Sequence, residues 1–274
     1  VSQRTIVITG ASDGIGAAAA RQLHADGARV VLVGRSAEKT RAIATELGVD
    51  YFLADFSHLA DVRTLAESLL EKYPRIDVLA NNAGGIMGDR TVTGDGHEMT
   101  FQVNHLAPFL LTTLLMDRLV ESRATVINTA SVAARIFAKF DIDDLELKNN
   151  YSANAAYGNG KLANILFTRE LERRYGASGI STAAFHPGVV GSGFASQSSG
   201  PIRFLYTGIL GRFLLTPAKG ADTLVWLATT TPGTDWTSGE FYTKRTISRT
   251  NPLADDAVLA TQLWNRSAQM VHIA

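Results

Sequence analysis

The sequence predicts an α/β protein: a doubly wound, parallel sheet of about seven strands with helices on both faces. Three observations predict it. Short apolar runs alternate with longer amphipathic stretches almost throughout, which is the rhythm of repeated strand–helix units. Residues 4–10 and 28–34 are continuous apolar runs ending in glycine, as buried strands are. No composition break, internal repeat or low-complexity linker divides residues 1–274, so they read as a single domain.

The elements follow in order. Residues 4–10 form a strand, Gly10 to Gly16 a glycine-rich turn, and residues 17–25 an alanine-rich helix stopped by Gly27. A second strand covers 28–34. Ser36 is a suitable N-cap for a helix over 36–47, because its hydroxyl can accept from a free N–H of the first turn. A third strand at 49–54 closes at Asp55, a helix over 58–73 precedes Pro74, and a fourth strand spans 75–80. Asn81-Asn82-Ala83-Gly84-Gly85 is a turn sequence. A long helix is expected over 97–120, bent at Pro108, whose ring cannot fit a straight helix. A fifth strand at 124–130 is followed by a polar, irregular stretch with a short helix at 141–146. A helix starts at Ala153 and runs to Leu171, and a sixth strand at 179–185 ends in His186-Pro187-Gly188. Residues 189–216 are rich in Gly and Ser, then apolar. A helix over Pro217–Thr229, a last strand at 239–243, and a terminal helix at 255–271 complete the chain. In the last, Leu259, Leu263 and Met270 face inward.

Composition removes several function classes. Lys+Arg and Asp+Glu are both 26, so no basic excess asks for nucleic acid or an anionic membrane. There is no cysteine, hence no disulfide framework, thiolate catalysis or cysteine metal site, and the six histidines show no metal-ligand spacing. No apolar run reaches spanning length, and nothing before residue 4 reads as a leader, so a cytoplasmic location is expected.

Gly10, Gly14 and Gly16 lie between a strand and a helix, in a G-x-x-x-G-x-G spacing. Such a turn lets a pyrophosphate approach the backbone and the helix N-terminus, as in a Rossmann-type dinucleotide site. The ligand then belongs outside the carboxyl ends of the strands. The second strand ends without the acid that would bond ribose hydroxyls. Arg35 follows it instead, suited to the 2′-phosphate of NADP; the alternative is a solvated arginine. Asp13, within the turn, does not help a phosphate. Asp55 and Phe56 end the third strand where an adenine fits, although Asp55 also suits a turn cap. Tyr157 and Lys161 are four apart and share one helix face, where an ammonium favours the phenolate. Alone, such a pair is an ordinary Tyr and Lys.

Taken together the chain resembles the short-chain dehydrogenase/reductase family over nearly its whole length. The resemblance rests on Thr9-Gly-Ala-Ser-Asp-Gly-Ile-Gly16, Asn81-Asn-Ala-Gly84, Asn104, Ser131, Tyr157-x-x-x-Lys161 and Pro187-Gly188, in family order. It is most similar to the retinol-dehydrogenase and protochlorophyllide-reductase-like branch. The stretches that carry this are Asp55-Phe-Ser-His-Leu-Ala-Asp-Val-Arg63, Phe101-Gln-Val-Asn-His-Leu-Ala-Pro-Phe109, Lys161-Leu-Ala-Asn-Ile-Leu-Phe-Thr-Arg-Glu-Leu171 and Ser238-Gly-Glu-Phe-Tyr242.

The resemblance implies hydride transfer between NADP(H), preferred over NAD(H), and a carbonyl. Tyr157 is then the general acid/base. Lys161 lowers its pKa and holds the nicotinamide ribose, Ser131 donates to the carbonyl oxygen, and Asn104 holds a water that returns protons to Lys161. Cofactor contacts are implied for Gly10, Ser12, Asp13, Gly14, Ile15, Gly16, Arg35, Asp55, Phe56, Asn82, Ala83, Gly84, Tyr157, Lys161, Pro187, Gly188 and Val189. Ser192 stands in for the threonine that family members often carry past Pro-Gly.

Residues 189–217 lie where the family places its substrate lid, and 201–217 are apolar and aromatic. The readings are a lid over a greasy substrate, a core helix, a membrane contact or a subunit interface. A hydrophobic small-molecule substrate is expected, such as an aromatic polyketide ketone, retinoid or steroid. The competing function is a catalytically silent nucleotide-binding regulatory protein of the same fold. The helices over 97–120 and 153–176 are also available to pair with a second subunit. Gly158 and Gly160 are expected to make room near Tyr157 for substrate, cofactor or a neighbouring helix.

Overall fold

A computed structural model describes residues 3–190 and 215–273. The strands are β1 (Thr5–Thr9), β2 (Arg29–Gly34), β3 (Tyr51–Leu53), β4 (Val78–Asn81), β5 (Thr125–Thr129), β6 (Ser181–His186), β7 (Glu240–Thr243) and β8 (Thr246–Ile247). They form one sheet in the order β3-β2-β1-β4-β5-β6-β7-β8. All neighbours are parallel except β7 and β8. The chain therefore leaves β1 in one direction, returns, and continues from β4 in the other. That reversal opens a crevice at the carboxyl ends of β1 and β4, where open α/β sheets bind ligands.

The helices are α1 (Gly14–Ala25), α2 (Ala37–Leu47), α3 (Leu59–Lys72), α4 (Met99–Phe101), α5 (Ala107–Leu114), α6 (Met116–Ser122), α7 (Ala133–Ile136), α8 (Ala153–Tyr175), α9 (Pro217–Thr229) and α10 (Ala257–Met270). Strand alternation divides the core between the two faces. Ile6 and Ile8 of β1 pack with Ala20 and Leu23 of α1 and Leu224 of α9. Val7 between them packs with Leu65 of α3, Leu110 of α5 and Leu162 of α8. All five β1 residues are buried, which is why the strand reads as an unbroken apolar run. Each fully buried Val or Ile contributes roughly 1.5–3 kcal/mol.

The helix signals hold in detail. Ser36 Oγ accepts from Lys39 N, and Gly48 ends α2 with a left-handed φ of 65°. Thr216 caps α9, whose first residue is Pro217, where a missing N–H costs no hydrogen bond.

Four expectations change. The helix over 97–120 is broken: α4 runs into a π-helical turn over Gln102–Leu106, then α5, then a second break at Leu115 before α6. Pro108 follows the π-helical turn directly, at the second residue of α5, so the irregularity lies on its N-terminal side. Residues 141–146 form turns instead of a helix, since the Asp141 and Asp144 carboxylates accept from Asp143 and Lys148 N–H groups and compete with a helical ladder. The terminal helix begins at Ala257, capped by Asp256, after a 3-10 turn over Pro252–Asp255. The sheet has an eighth strand, since Lys244 and Arg245 take left-handed φ values of 52° and 62° and reverse the chain into β8.

Trp264 of α10 stacks edgewise on Phe109 of α5 at 5.1 Å, lies 5.7 Å from Phe167 of α8, and carries the Arg174 guanidinium at 4.5 Å. This part of the outer face of α5 and α8, expected to be available to a second subunit, is covered by the chain's own terminal helix. Among the described residues no helix is long and apolar enough to cross a membrane.

Candidate active site

A cleft of about 910 Å³ opens over the carboxyl ends of the strands. Its floor is built from two turns stitched together. Gly10 and Gly14 take left-handed φ values of 66° and 54°, which glycine adopts without strain. A Cβ on Gly10 would lie 2.8 Å from Ala83 Cα, so only glycine lets the turn after β4 close against it. Thr9 Oγ1 accepts from the N–H groups of Asn82 and Ala83, both at 3.0 Å. Asn82 Nδ2 donates in return to the carbonyls of Thr9 and Gly10. Thr9 was part of the legible motif, but its joining role depends on a strand 71 residues away.

Gly10, Ser12, Asp13, Gly14, Ile15 and Gly16 all line the cleft, as do Arg35, Asp55, Phe56, Asn82, Ala83 and Gly84. Asp13 caps α1 through Gly14 N at 2.7 Å and pairs with Lys39 Nζ at 3.0 Å. The Lys39 ammonium holds the Asp13 carboxyl below the usual carboxylate range, against a smaller rise from burial. Both side chains are more than half exposed, so the pair is weak and readily rearranged. Lys39 puts a second cation beside Arg35 on the cleft wall. Sequence reading missed it; its place in the first turn of α2, just after Arg35, was the available signal. Asp55 Oδ1 accepts from Ser57 N and Oγ, so it does act as a turn cap, and Phe56 is buried in the core beneath.

The chemistry-bearing residues converge further in. Ser152 caps α8 and fixes its start. One turn on, Tyr157 lines the cleft with Lys161 below it, Nζ 5.5 Å from the phenol ring centroid. Lys161 is 2% exposed and donates to the Thr129 carbonyl at 2.9 Å. Burial depresses its pKa from the ordinary 10.5 to about 7, because a buried ammonium loses its hydration. Ser131, just past β5, lines the same cleft, and its Oγ accepts from Ala133 N, which leaves the hydroxyl hydrogen to donate elsewhere.

Asn104 is fully buried in the π-helical turn and does not line the cleft. Its Oδ1 accepts from Gly85 N at 3.1 Å, and its Nδ2 donates to the carbonyls of Gly85 and Thr100, both at 2.8 Å. The side chain thus ties the Gly84–Gly85 turn to the helix. A Cβ on Gly84 would lie 2.5 Å from that Oδ1 and 3.1 Å from Lys161 Nζ. The room beside Tyr157 left by Gly158 is filled by backbone: a Cβ there would lie 2.6 Å from Ala138 N and 2.8 Å from Phe137 C. Gly160 leaves room for Asn104 Cβ, at 3.2 Å.

Pro187, Gly188, Val189 and Val190 form the far rim. Leu215 N donates to Val189 O at 2.9 Å, and Val190 bridges Leu215, so the chain rejoins the rim at 215. Ser192 and most of the 189–217 segment lie outside the described residues. The nearby wall is apolar: Ile86, Met87, Val103 and Val132 line it, and Ile136, Phe137 and Val189 are exposed at its mouth. His186 also lines the cleft, at the end of β6, with its pKa pushed down to about 4 by burial. Only its position before Pro187-Gly188 marks it in the sequence.

The family model for short chain dehydrogenases matches residues 4–201. A Streptomyces sp. (strain C5) protein provisionally named daunorubicin C-13 ketoreductase DnrU is 44% identical over 277 residues, covering 98% of this chain and 92% of its own. Human retinol dehydrogenase 12 is 37% identical over 278 residues, covering 98% of this chain and 87% of its own. The Pseudomonas aeruginosa RhlG/NADP active-site complex aligns with a TM-score of 0.70 at 26% identity, over 88% of this chain and 94% of that one.

Proposed function

Because the chain belongs to the short chain dehydrogenase family, in its retinol-dehydrogenase-like branch, we propose that it is an NADP(H)-dependent carbonyl reductase or alcohol dehydrogenase for a lipophilic substrate. The observation that carries this reading is the buried Lys161 one helical turn from Tyr157, beside Ser131, at the inner end of a cleft whose other wall is apolar.

The residues present fit a dinucleotide phosphate. The glycine turn and the Asn82–Gly84 turn give the cofactor a backbone-lined floor, and Arg35 with Lys39 supplies cations for a 2′-phosphate. When bound, the nicotinamide supplies the hydride to the carbonyl carbon, or accepts it in the reverse direction. Tyr157 gives its phenol proton to the carbonyl oxygen as negative charge develops there, and regains it in the reverse reaction. Lys161 favours the phenolate left behind and holds the nicotinamide ribose. Ser131 donates its hydroxyl hydrogen to the same oxygen, a stabilisation realised most fully in the transition state. Asn104 anchors the Gly84–Gly85 turn against Lys161, so its part is to hold this geometry from beneath.

The apolar wall and exposed mouth suit a bulky, greasy carbonyl, and the two relatives are named for an anthracycline ketone and a retinoid. Purified protein is expected to consume NADPH with daunorubicin or all-trans-retinal. NADPH binding without consumption across these and a panel of lipophilic ketones would support the silent nucleotide-binding alternative. Arg35→Glu is expected to weaken NADPH by about 10-fold to 100-fold and NADH far less, since a charge-assisted contact to the 2′-phosphate contributes about 1.5–3 kcal/mol. Equal loss for both cofactors in a fluorescence titration would overturn the 2′-phosphate assignment.

A further inference from the structure

Tyr157, Lys161, Asn164 and Thr168 share one face of α8, spaced i, i+4, i+7 and i+11, and the last three bond β5. Lys161 and Asn164 meet the same atom. The Thr129 carbonyl accepts from Lys161 Nζ at 2.9 Å and from Asn164 Nδ2 at 3.3 Å. Since Asn164 donates there, its Oδ1 is the atom facing His105 Nδ1, at 3.4 Å. Nδ1 must then carry the ring hydrogen, and Nε2 accepts from Ser267 Oγ of α10 at 2.9 Å. The donors run in one direction, from Ser267 through His105 and Asn164 to the Thr129 carbonyl.

All these groups are buried: Asn164 is 4% exposed, His105 1% and Ser267 0%. The His105 ring lies among Phe101, Phe109 and Phe167, with centroids 5.1, 6.1 and 6.2 Å away. Apolar side chains would fill such a site without the desolvation that buried polar groups suffer. A fully connected polar chain through an aromatic core therefore asks for a reason beyond packing. Its inner end touches the Thr129 carbonyl, which accepts from the Lys161 ammonium. The other groups facing that ammonium are the Tyr157 ring on its own helix and the Gly84–Asn104 contact opposite; among the described residues no carboxylate pairs with it.

We propose that Asn164 and His105 are positioning residues that hold the Thr129 carbonyl, and through it Lys161, in line with Tyr157, and that Ser267 ties this support to the terminal helix. The inference rests on the reading of Tyr157 and Lys161 given above. One ammonium hydrogen stays on Thr129, so the other two are left to serve the phenol and the cleft. When the carbonyl loses Asn164, the ammonium gains freedom and its average effect on the phenol falls.

The test is a spectroscopic titration that needs neither substrate nor cofactor. The phenolate absorbance of Tyr157 is isolated as the difference between each protein and its Tyr157→Phe counterpart. Asn164→Leu is expected to move that midpoint up by about one pH unit, and His105→Leu by less, as expected when the Lys161 nitrogen, which donates to the phenolate whether charged or neutral, is less well placed. His105→Asn, whose amide N–H falls where Nδ1–H lies, is expected to restore the midpoint. His105→Gln, which retains only the Ser267 side, is expected to leave it raised. Should the leucine variants fail to fold, the Asn and Gln pair decides. A His105→Gln midpoint superimposable on the parent protein's, with the same result in Asn164→Leu where that variant folds, would overturn the proposal. Failure of the functional reading is distinguishable: it would appear as NADPH consumption that survives Tyr157→Phe, whatever the titration shows.

Discussion

Tyr157→Phe is expected to reduce turnover by about 10²- to 10⁴-fold, the usual contribution of a positioned general acid, while NADPH binding and thermal stability change little. The substitution removes one oxygen and keeps the ring. The ring is what packs with Ile86 and Ala133, so the local core is retained. The cleft's floor, Arg35 and Lys39 are untouched, which is why cofactor affinity should persist. What is lost is the only phenol lining the cleft among the described residues, and a neighbouring Ser131 hydroxyl is too weak an acid to replace it at neutral pH. A stopped-flow measurement of NADPH consumption checks this at saturating substrate. A variant within threefold of the parent protein would remove Tyr157 from the mechanism.

Lys161→Met is expected to separate function from stability in opposite directions. Turnover should fall at least as far as in Tyr157→Phe, because the phenolate loses the Lys161 nitrogen that donates to it and the nicotinamide ribose loses its holder. Stability should rise. Lys161 ionises near pH 7 when folded and near 10.5 by its ordinary value, so burying the ammonium opposes folding. Below pH 7 both states are charged and the full penalty is present. Between pH 7 and 10.5 the unfolded chain holds the proton and the folded one does not, so the penalty fades as pH rises. After allowance for the lost hydrogen bond to Thr129, the gain at pH 6 is on the order of 3 kcal/mol. Thermal melts at pH 6 and pH 9.5 check the sign: the gain should shrink markedly at the higher pH. Equal gains would mean that burial of charge is not the cause.

The parts of the molecule that were legible in the sequence share a local cause. The buried strands announce themselves because both faces of the sheet are covered, so β1 and β2 are apolar almost throughout. Ser36, Gly48 and Pro217 mark helix ends because each acts on its own neighbours. Tyr157 and Lys161 needed only helical spacing to be paired. The illegible parts depend on partners far away. Thr9 gains its role from Asn82, Asn104 from Gly85, and His105 from Asn164 and Ser267. The π-helical turn is set by such contacts: Asn104 bonds both the Thr100 carbonyl and the Gly85 turn, and no residue type in Gln102–Leu106 signals the widened helix. The turn from β7 into β8 was missed because Lys244 and Arg245 hold left-handed conformations that Asn or Gly usually signal.

That small hairpin also bears on how the protein behaves when concentrated. A parallel sheet of this kind has two open borders, each offering unpaired N–H and C=O groups to another chain. Here one border is β3, only three residues long, and the other is β8, only two. Lys244 and Arg245 stand exposed at the turn into β8, and Arg245 is held there by a two-pronged pair with Asp222. Templated cross-strand growth needs a longer, uncharged margin, so aggregation through the sheet is disfavoured at both ends by brevity and at one also by cationic charge.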